Sequence, residues 1–381
     1  MVKNIRNLKY LDKTLLLVTL FLFIFGLIMV FSASNVTAYM SRLTSPYHYF
    51  LNQLIIYGLG FFLTLFILFI DTKTMGKLSL LGIIIFTVLL AYLLISSKVR
   101  AINNANSWID LGFFSVQPSE FIKVLSIFWL SHYYSINKKY LDKVPTVVFS
   151  LGVCAIIALL ITFQPDMGTA VIYTLIVVLM TLAAPLSKSI RFKLTLLIVG
   201  CIAIGGIAIA SGSVTKILND RQESRLTGYK NPCSKLLTTG NQVCNGYIAM
   251  NNGGLNGVGL GKSTQKYLYL PEPYTDFIFP IIVEECGLVW GITIILAYLI
   301  LLIRILVIGR RAKDTLGGLL CYGVALYIFI HIAINLGGVL GLIPITGVPL
   351  PFMSYGGSFT ICLIASLACV QKVAIESKAG R

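Results

Sequence analysis

Apolar runs close to the length that a bilayer asks of a helix, roughly 17–25 residues, recur along the chain with short polar punctuation between them. The pattern predicts ten spans, approximately Leu15–Phe31, Phe50–Ile70, Leu78–Ile95, Phe121–Tyr134, Val147–Phe163, Ala170–Leu186, Leu194–Ala210, Phe277–Ile303, Leu316–Val339 and Phe359–Val370. Between the seventh and eighth the alternation stops. Positions 211–275 mix Gly, Asn, Tyr, Pro and charge without a sustained period, and so predict one large loop, functional or disordered, with room for interfacial helices. The fold class is therefore an all-α integral membrane protein of about ten transmembrane helices. It forms a single polytopic domain over 1–381, with one large extracellular loop, about 211–275, between helices 7 and 8. No internal repeat is legible, which removes the usual pointer to a transporter built from inverted halves.

Composition agrees. Hydrophobic residues make up 57% of the 381 positions and charged ones 12%, with mean hydropathy +0.88; a soluble domain carries about 25% charge. The net charge of +16 would point a soluble protein toward nucleic acid. Here the basic residues sit in short loops between apolar runs, so nucleic acid is not an expected partner and membrane lipid is. Lys3, Arg6, Lys9 and Lys13 precede the first span; Lys73 and Lys77 follow the second; Lys138, Lys139 and Lys143 the fourth; Lys188, Arg191 and Lys193 the sixth. Arg304, Arg310, Arg311 and Lys313 follow the eighth, and Lys372, Lys378 and Arg381 close the chain, whereas the short loops opposite hold only Arg42, Lys98 and Arg100. The bias of Lys and Arg toward the cytoplasm puts both termini inside and the large loop outside. The run after Met1–Lys13 is long and lacks a small-residue cleavage pattern, so it reads as a span rather than a cleaved leader.

Six of the eight cysteines lie in or beside spans, where a thiol is a small core residue. Cys233 and Cys244 lie in the external loop. An oxidising compartment permits a disulfide there, and their spacing suits no zinc motif.

Charges within spans are costly, and four polar blocks stand out. The fourth span opens Gln117-Pro118-Ser119-Glu120-Phe121-Ile122-Lys123. Glu120 and Lys123, three apart, share a helix face; they form either a structural ion pair between helices or a charge pair lining a wet cavity. Gln164-Pro165-Asp166-Met167-Gly168-Thr169 joins the fifth and sixth spans, where Asp166 is a candidate N-cap or a site residue. Leu270–Phe279 leads the external loop into the eighth span through Pro271, Glu272, Pro273 and Asp276. Asp276 is again a candidate N-cap, yet the prolines would hold it in a fixed pose, and a rigidly placed carboxylate at a membrane surface can take a proton from a sugar hydroxyl. Pro344–Ser358 is irregular backbone at the outer surface, which must be buried in protein or line a cavity. The segment Gly253–Ser263 invites a phosphate-loop reading, but position 256 is Asn where that motif needs Gly and no strand precedes it. Backbone amides there could still cradle a pyrophosphate.

Taken together these blocks resemble the SEDS family, the FtsW and RodA peptidoglycan glycosyltransferases. The matching blocks are Trp108–Gly112, Gln117–Glu120 with Lys123, Gln164–Asp166 with Gly168-Thr169, Gly253–Gln265, Leu270–Phe279 and Pro349–Ser358. They cover nearly the whole chain in order. Gly26–Ser34 looks more like the divisional FtsW branch than RodA. Asn104 and Ser107 stand where family members often carry Gly and Arg, which makes Arg100 a candidate substitute for phosphate contact. The resemblance implies a SEDS-type fold and polymerisation of lipid II at the outer face of a bacterial plasma membrane, at the division septum. An acceptor sugar hydroxyl would attack the donor anomeric carbon, invert it and expel undecaprenyl pyrophosphate. It implies Asp276 as catalytic base and Glu120, Lys123 and Asp166 as cavity residues. Lys262, Lys266, Arg100 and Ser354 are added as substrate contacts, with a divalent cation, Mg or Mn, at an unknown site. Expected partners are lipid II, the undecaprenyl-pyrophosphate-linked glycan, a class B penicillin-binding protein with transpeptidase activity, and divisome proteins. A lipid II flippase would also want intramembrane charge; a non-catalytic division scaffold would need neither Asp276 nor the charge pair.

Overall fold

The computed structural model describes residues 8–42, 45–95, 107–110, 115–164, 166–210, 232–235, 240–267 and 269–379. Ten helices of 17 residues or longer appear among them, one for each predicted span. They are α1 (Lys13–Arg42), α2 (His48–Phe69), α3 (Thr72–Ile95), α4 (Pro118–Ile136), α5 (Val144–Phe163), α6 (Met167–Ala183), α7 (Lys188–Ala210), α10 (Leu288–Arg310), α11 (Thr315–Val339) and α12 (Ser358–Ala379). Two shorter helices, α8 (Asn241–Gly253) and α9 (Ile278–Cys286), precede α10. A short antiparallel ladder, β1 (Ile109–Asp110) on β2 (Ser115–Val116), leads into α4.

Seven of the helices are long and apolar enough on their own to cross a bilayer: α1, α2, α3, α5, α10, α11 and α12. Helix α6 is apolar but shorter. Helix α4 is the exception that its sequence foreshadows. It tolerates Glu120, Lys123 and three buried serines because it lies inside the bundle, packed on α3, α6, α11 and α12. Its polar side chains act as interhelical glue: Ser126 Oγ meets Tyr173 OH of α6 at 3.1 Å, and Tyr134 OH meets Ser150 of α5 at 3.0 Å and Thr181 of α6 at 2.8 Å.

Three predicted boundaries need correction. Helix α1 runs to Arg42 rather than Phe31, and α12 continues past Val370 to Ala379. In α12 the polar tail finds partners: Gln371 exchanges hydrogen bonds with the main chain of Asp12, and Lys372 reaches the Leu68 carbonyl at 3.0 Å. The eighth span, read as one helix over Phe277–Ile303, is two. It breaks at Gly287, whose φ of +89° suits glycine, so that α9 and α10 meet at an angle in the chain. The large loop before α9 also holds more order than its composition suggests, since α8 forms within it and Cys244 of that helix is bonded to Cys233.

The start of α1 and the ends of α10 and α12 meet at one end of the bundle. There Asp12 accepts from Arg304 at 2.8 and 2.5 Å and from the Leu15 amide at 3.0 Å. At the other end, the N-termini of α4 and α12 frame a cavity.

Candidate functional site

The cavity, of about 360 Å³, is walled by four separate stretches of sequence. Gln117, Glu120 and Lys123 come from α4; Asp166 and Thr169 from the start of α6; Glu272, Thr275 and Asp276 from the Pro-rich turn; and residues 346–349 and 355–357 from the α11–α12 connection. Trp108 and Ser107 add to the rim, and His331 of α11 reaches it from within the bundle. Irregular backbone at the end of an apolar bundle thus lines a polar cavity, as its lack of helical hydrogen bonding requires.

Pro118 opens α4 at a position where its missing N–H costs nothing, so the charged first turn starts at the cavity edge. Glu120 and Lys123 then pair at 2.8 Å with both side chains almost fully enclosed. Lys123 Nζ also lies 3.1 Å from His331 Nε2. An ammonium only donates, so Nε2 accepts and the imidazole proton sits on Nδ1. Both readings of the pair therefore meet in one place: it joins α4 to α11 and it lines the cavity. Asp166 likewise serves twice. One oxygen accepts from the Thr169 amide at 3.1 Å and caps α6, and the other accepts from Gln117 Nε2 at 2.7 Å.

Asp276 is half-buried and does not cap α9, whose N-cap residue is Phe277. Its position is set through its backbone. Asn335 of α11 donates to the Asp276 carbonyl at 2.8 Å and to the Val348 carbonyl at 2.7 Å. The Ser354 hydroxyl donates to the Thr275 carbonyl at 2.5 Å, and the Tyr355 amide donates to the Tyr274 carbonyl at 2.9 Å. Glu272, between two prolines, takes a left-handed φ of +52°, a strained choice for a side-chain-bearing residue that the clamped turn enforces. The Thr275 hydroxyl lies 3.1 Å from Glu272 Oε2 and 3.2 Å from Asp276 Oδ1, so the two carboxylates share a neighbour.

Five of the residues singled out in the sequence therefore line one cavity: Glu120, Lys123, Asp166, Asp276 and, from the same Pro-rich block, Glu272. Others do not. Ser354 is buried beneath the turn, its hydroxyl engaged with Thr275 and the Leu350 amide, so it holds the site's backbone instead of facing substrate. Lys262 is exposed outside the cavity wall. Lys266 is buried and paired with Glu285 at 2.8 Å. Arg100 lies outside the described residues. Sequence reasoning missed His331 and Asn335. Their signal was available: each is a polar side chain inside the apolar run Thr315–Val339.

Among the described residues no three His, Cys, Asp or Glu side chains come together as ligands for a metal ion.

The chain matches the family model FtsW/RodA/SpoVE, described as cell cycle protein, over residues 12–379. It is 35% identical over 378 residues to a probable peptidoglycan glycosyltransferase FtsW of Bacillus subtilis, covering 98% of this chain and 93% of that one. It is 35% identical over 370 residues to stage V sporulation protein E of the same organism, covering 96% and 98%. Among solved structures, a peptidoglycan synthase complex contains a chain that superposes with a TM-score of 0.74 at 22% identity, over 96% of this chain and 98% of that one. The rod shape determining protein RodA of Thermus thermophilus superposes at 0.65, also at 22% identity, over 96% of each.

Proposed function

Because this chain belongs to the FtsW/RodA/SpoVE family of multi-pass membrane proteins, we propose that it is a peptidoglycan glycosyltransferase that polymerises lipid II at the outer face of the plasma membrane. The observation that carries this reading is the convergence of Glu120, Lys123, Asp166, Glu272 and Asp276 on one polar cavity inside a helical bundle. A sugar hydroxyl is too weak an acid to attack a glycosidic carbon unaided. Asp276, clamped through its carbonyl and its neighbours, accepts the proton as the bond forms. Inversion at the anomeric carbon places the departing pyrophosphate on the face opposite the attacking hydroxyl. Lys123, held by Glu120 and His331, keeps one of its three N–H groups for an anion in the cavity. We read the divalent cation, Mg or Mn, as one that comes with the substrate's phosphates, the usual mode for Mg, since among the described residues no three His, Cys, Asp or Glu side chains cluster.

The positive-inside bias supports an orientation with both termini in the cytoplasm and the cavity facing out. The structural neighbour comes from a peptidoglycan synthase complex, which supports a penicillin-binding partner; that this partner is of class B, and that the protein works at the septum with other divisome proteins, is part of the same proposal. Purified protein given labelled lipid II should yield glycan polymer. Redistribution of lipid II across vesicles without polymer would favour a flippase, and neither activity would leave a division scaffold.

A further inference from the structure

The segment that invites a phosphate-loop reading has a different anion. Glu284 is fully buried near the end of α9, and its carboxylate accepts from the Thr264 amide at 3.2 Å, the Thr264 hydroxyl at 2.9 Å, the Gln265 amide at 3.4 Å, Asn252 Nδ2 at 3.2 Å and the Ser263 hydroxyl. The chain at the end of that segment and just beyond it, Ser263–Gln265, together with Asn252 before it, wraps a side chain of the protein itself.

The reason lies in the helix break. Interrupting a helix in apolar surroundings orphans the last carbonyls of one half and the first amides of the other. The loop supplies them. Val258 and Gly259 donate to the Glu284 and Glu285 carbonyls, each at 2.9 Å, while Leu288 donates to the Gly254 carbonyl at 2.9 Å and Val289 to that of Leu255 at 3.4 Å. Gly257 and Gly287 both have positive φ, +78° and +89°, and a β-carbon on either would collide with backbone of the opposite segment. Lys266 completes the join, bonding Glu285 at 2.8 Å and Ser32 of α1 at 3.3 Å.

We propose that Glu284 is a positioning residue for Asp276, acting through α9. The inference rests on Asp276 being the base. Helix α9 has nine residues, about 13 Å; residues 278–285 are all buried against α8, α10 and α1, and the side-chain hydrogen bonds that fix it along its axis lie at its two ends. Asn335 and Ser354 fix the front end at Asp276 and Thr275, and the Glu284 clasp fixes the rear. Loosening the rear lets α9 slide or tilt and moves Asp276 relative to a bound hydroxyl, and a misplacement of about 1 Å can cost about 100-fold in rate.

The test uses the full-length protein with labelled lipid II, comparing Glu284→Gln, Thr264→Val and Asp276→Asn. Glu284→Gln should keep its fold and the Cys233–Cys244 disulfide and lose about 10–100-fold in kcat with KM unchanged. Thr264→Val, an exposed position losing one hydroxyl donor, should lose kcat by a smaller factor, again without a change in KM. Folded Glu284→Gln with normal kcat would overturn the proposal, as would a loss carried by KM. If Glu284→Gln does not fold, Thr264→Val decides: normal kcat there means that the clasp serves stability alone. Full activity of Asp276→Asn would instead remove the base reading itself, and is told apart from an inactive Asp276→Asn beside an active Glu284→Gln.

Discussion

Asp276→Asn is the sharpest perturbation of the proposed chemistry. The amide has nearly the size of the carboxylate and can still meet the Thr275 hydroxyl that lies 3.2 Å from Oδ1. The backbone clamp is untouched, because Asn335 and Ser354 bond to the carbonyls of residues 276 and 275 and not to the side chain. What disappears is the ability to take a proton. General-base assistance contributes about 10²–10⁴-fold, or roughly 3–5 kcal/mol of barrier at 1.36 kcal/mol per tenfold. The structure also names the residue that limits the loss. Glu272 lines the same cavity and shares the Thr275 hydroxyl, so it is the nearest substitute base. Glu272→Gln alone should therefore cost only a few-fold, and the double variant should fall below Asp276→Asn. The assay is gel-resolved polymerisation of labelled lipid II, with thermal unfolding in detergent as the control for folding. Asp276→Asn polymerising within a few-fold of the parent would refute the assignment. Glu272→Gln costing more than Asp276→Asn would transfer the role to Glu272.

Lys123→Met leaves Glu120 enclosed without its partner and should destabilise the protein by about 3–5 kcal/mol in thermal or denaturant unfolding, while Glu120→Gln with Lys123→Met should recover most of it; a single variant as stable as the double would contradict the pairing. At the other end of the bundle, burial pushes the Asp12 carboxyl up, but hydrogen bonds from Arg304 and the Leu15 amide and the charges of Arg304 and Lys378 outweigh it and leave it below the usual value of 3.8. Its contribution to stability is thus complete above that value and lost as pH falls through the lowered one, so Asp12→Asn should reduce stability at neutral pH and flatten the acid limb of an unfolding-versus-pH curve. For orientation, a cysteine replacing exposed Lys262 should react with an impermeant thiol reagent on intact cells and one replacing exposed Lys139 should not; the reverse pattern would invert every site.

The ten spans are legible because about 20 apolar residues in a row have few alternatives to a bilayer. Where the reading slipped, the local signal was shared by two structures. Phe277–Ile303 looks alike whether straight or broken, and only Glu284-Glu285-Cys286-Gly287, two acids and a glycine amid apolar residues, marks the break. The fate of Ser263–Gln265, where the glycine-rich segment ends, could not be read locally, since its partner Glu284 lies some twenty residues on and the contact exists only once α9 is buried. Lys266 was misjudged for the same reason: a loop lysine near a glycine-rich turn looks free until Glu285 and Ser32 close on it. The site carboxylates were legible because charge beside a span is costly enough to need a purpose.

The charge balance of the cavity leads to one more expectation. Four carboxylates line it, yet they are not equivalent. Glu120 is tied to Lys123 through one oxygen, Asp166 is tied to Gln117 and the Thr169 amide, and Glu272 and Asp276 sit together on the Pro-rich turn at the Thr275 hydroxyl. On the positive side, Lys123 is the only Lys or Arg among the described cavity-lining residues, and two of its three donors are engaged. A departing pyrophosphate carries more negative charge than one N–H group can balance, and Lys262 and Lys266 lie elsewhere. A divalent ion carried on the phosphates, as proposed above, would restore the balance. Chelation with EDTA should therefore abolish polymerisation while leaving the unfolding temperature unchanged, and added Mg or Mn should restore it. Undiminished polymerisation in excess EDTA would refute the cation and place the whole burden of the leaving group on Lys123, whose replacement would then be expected to be as damaging to turnover as that of Asp276.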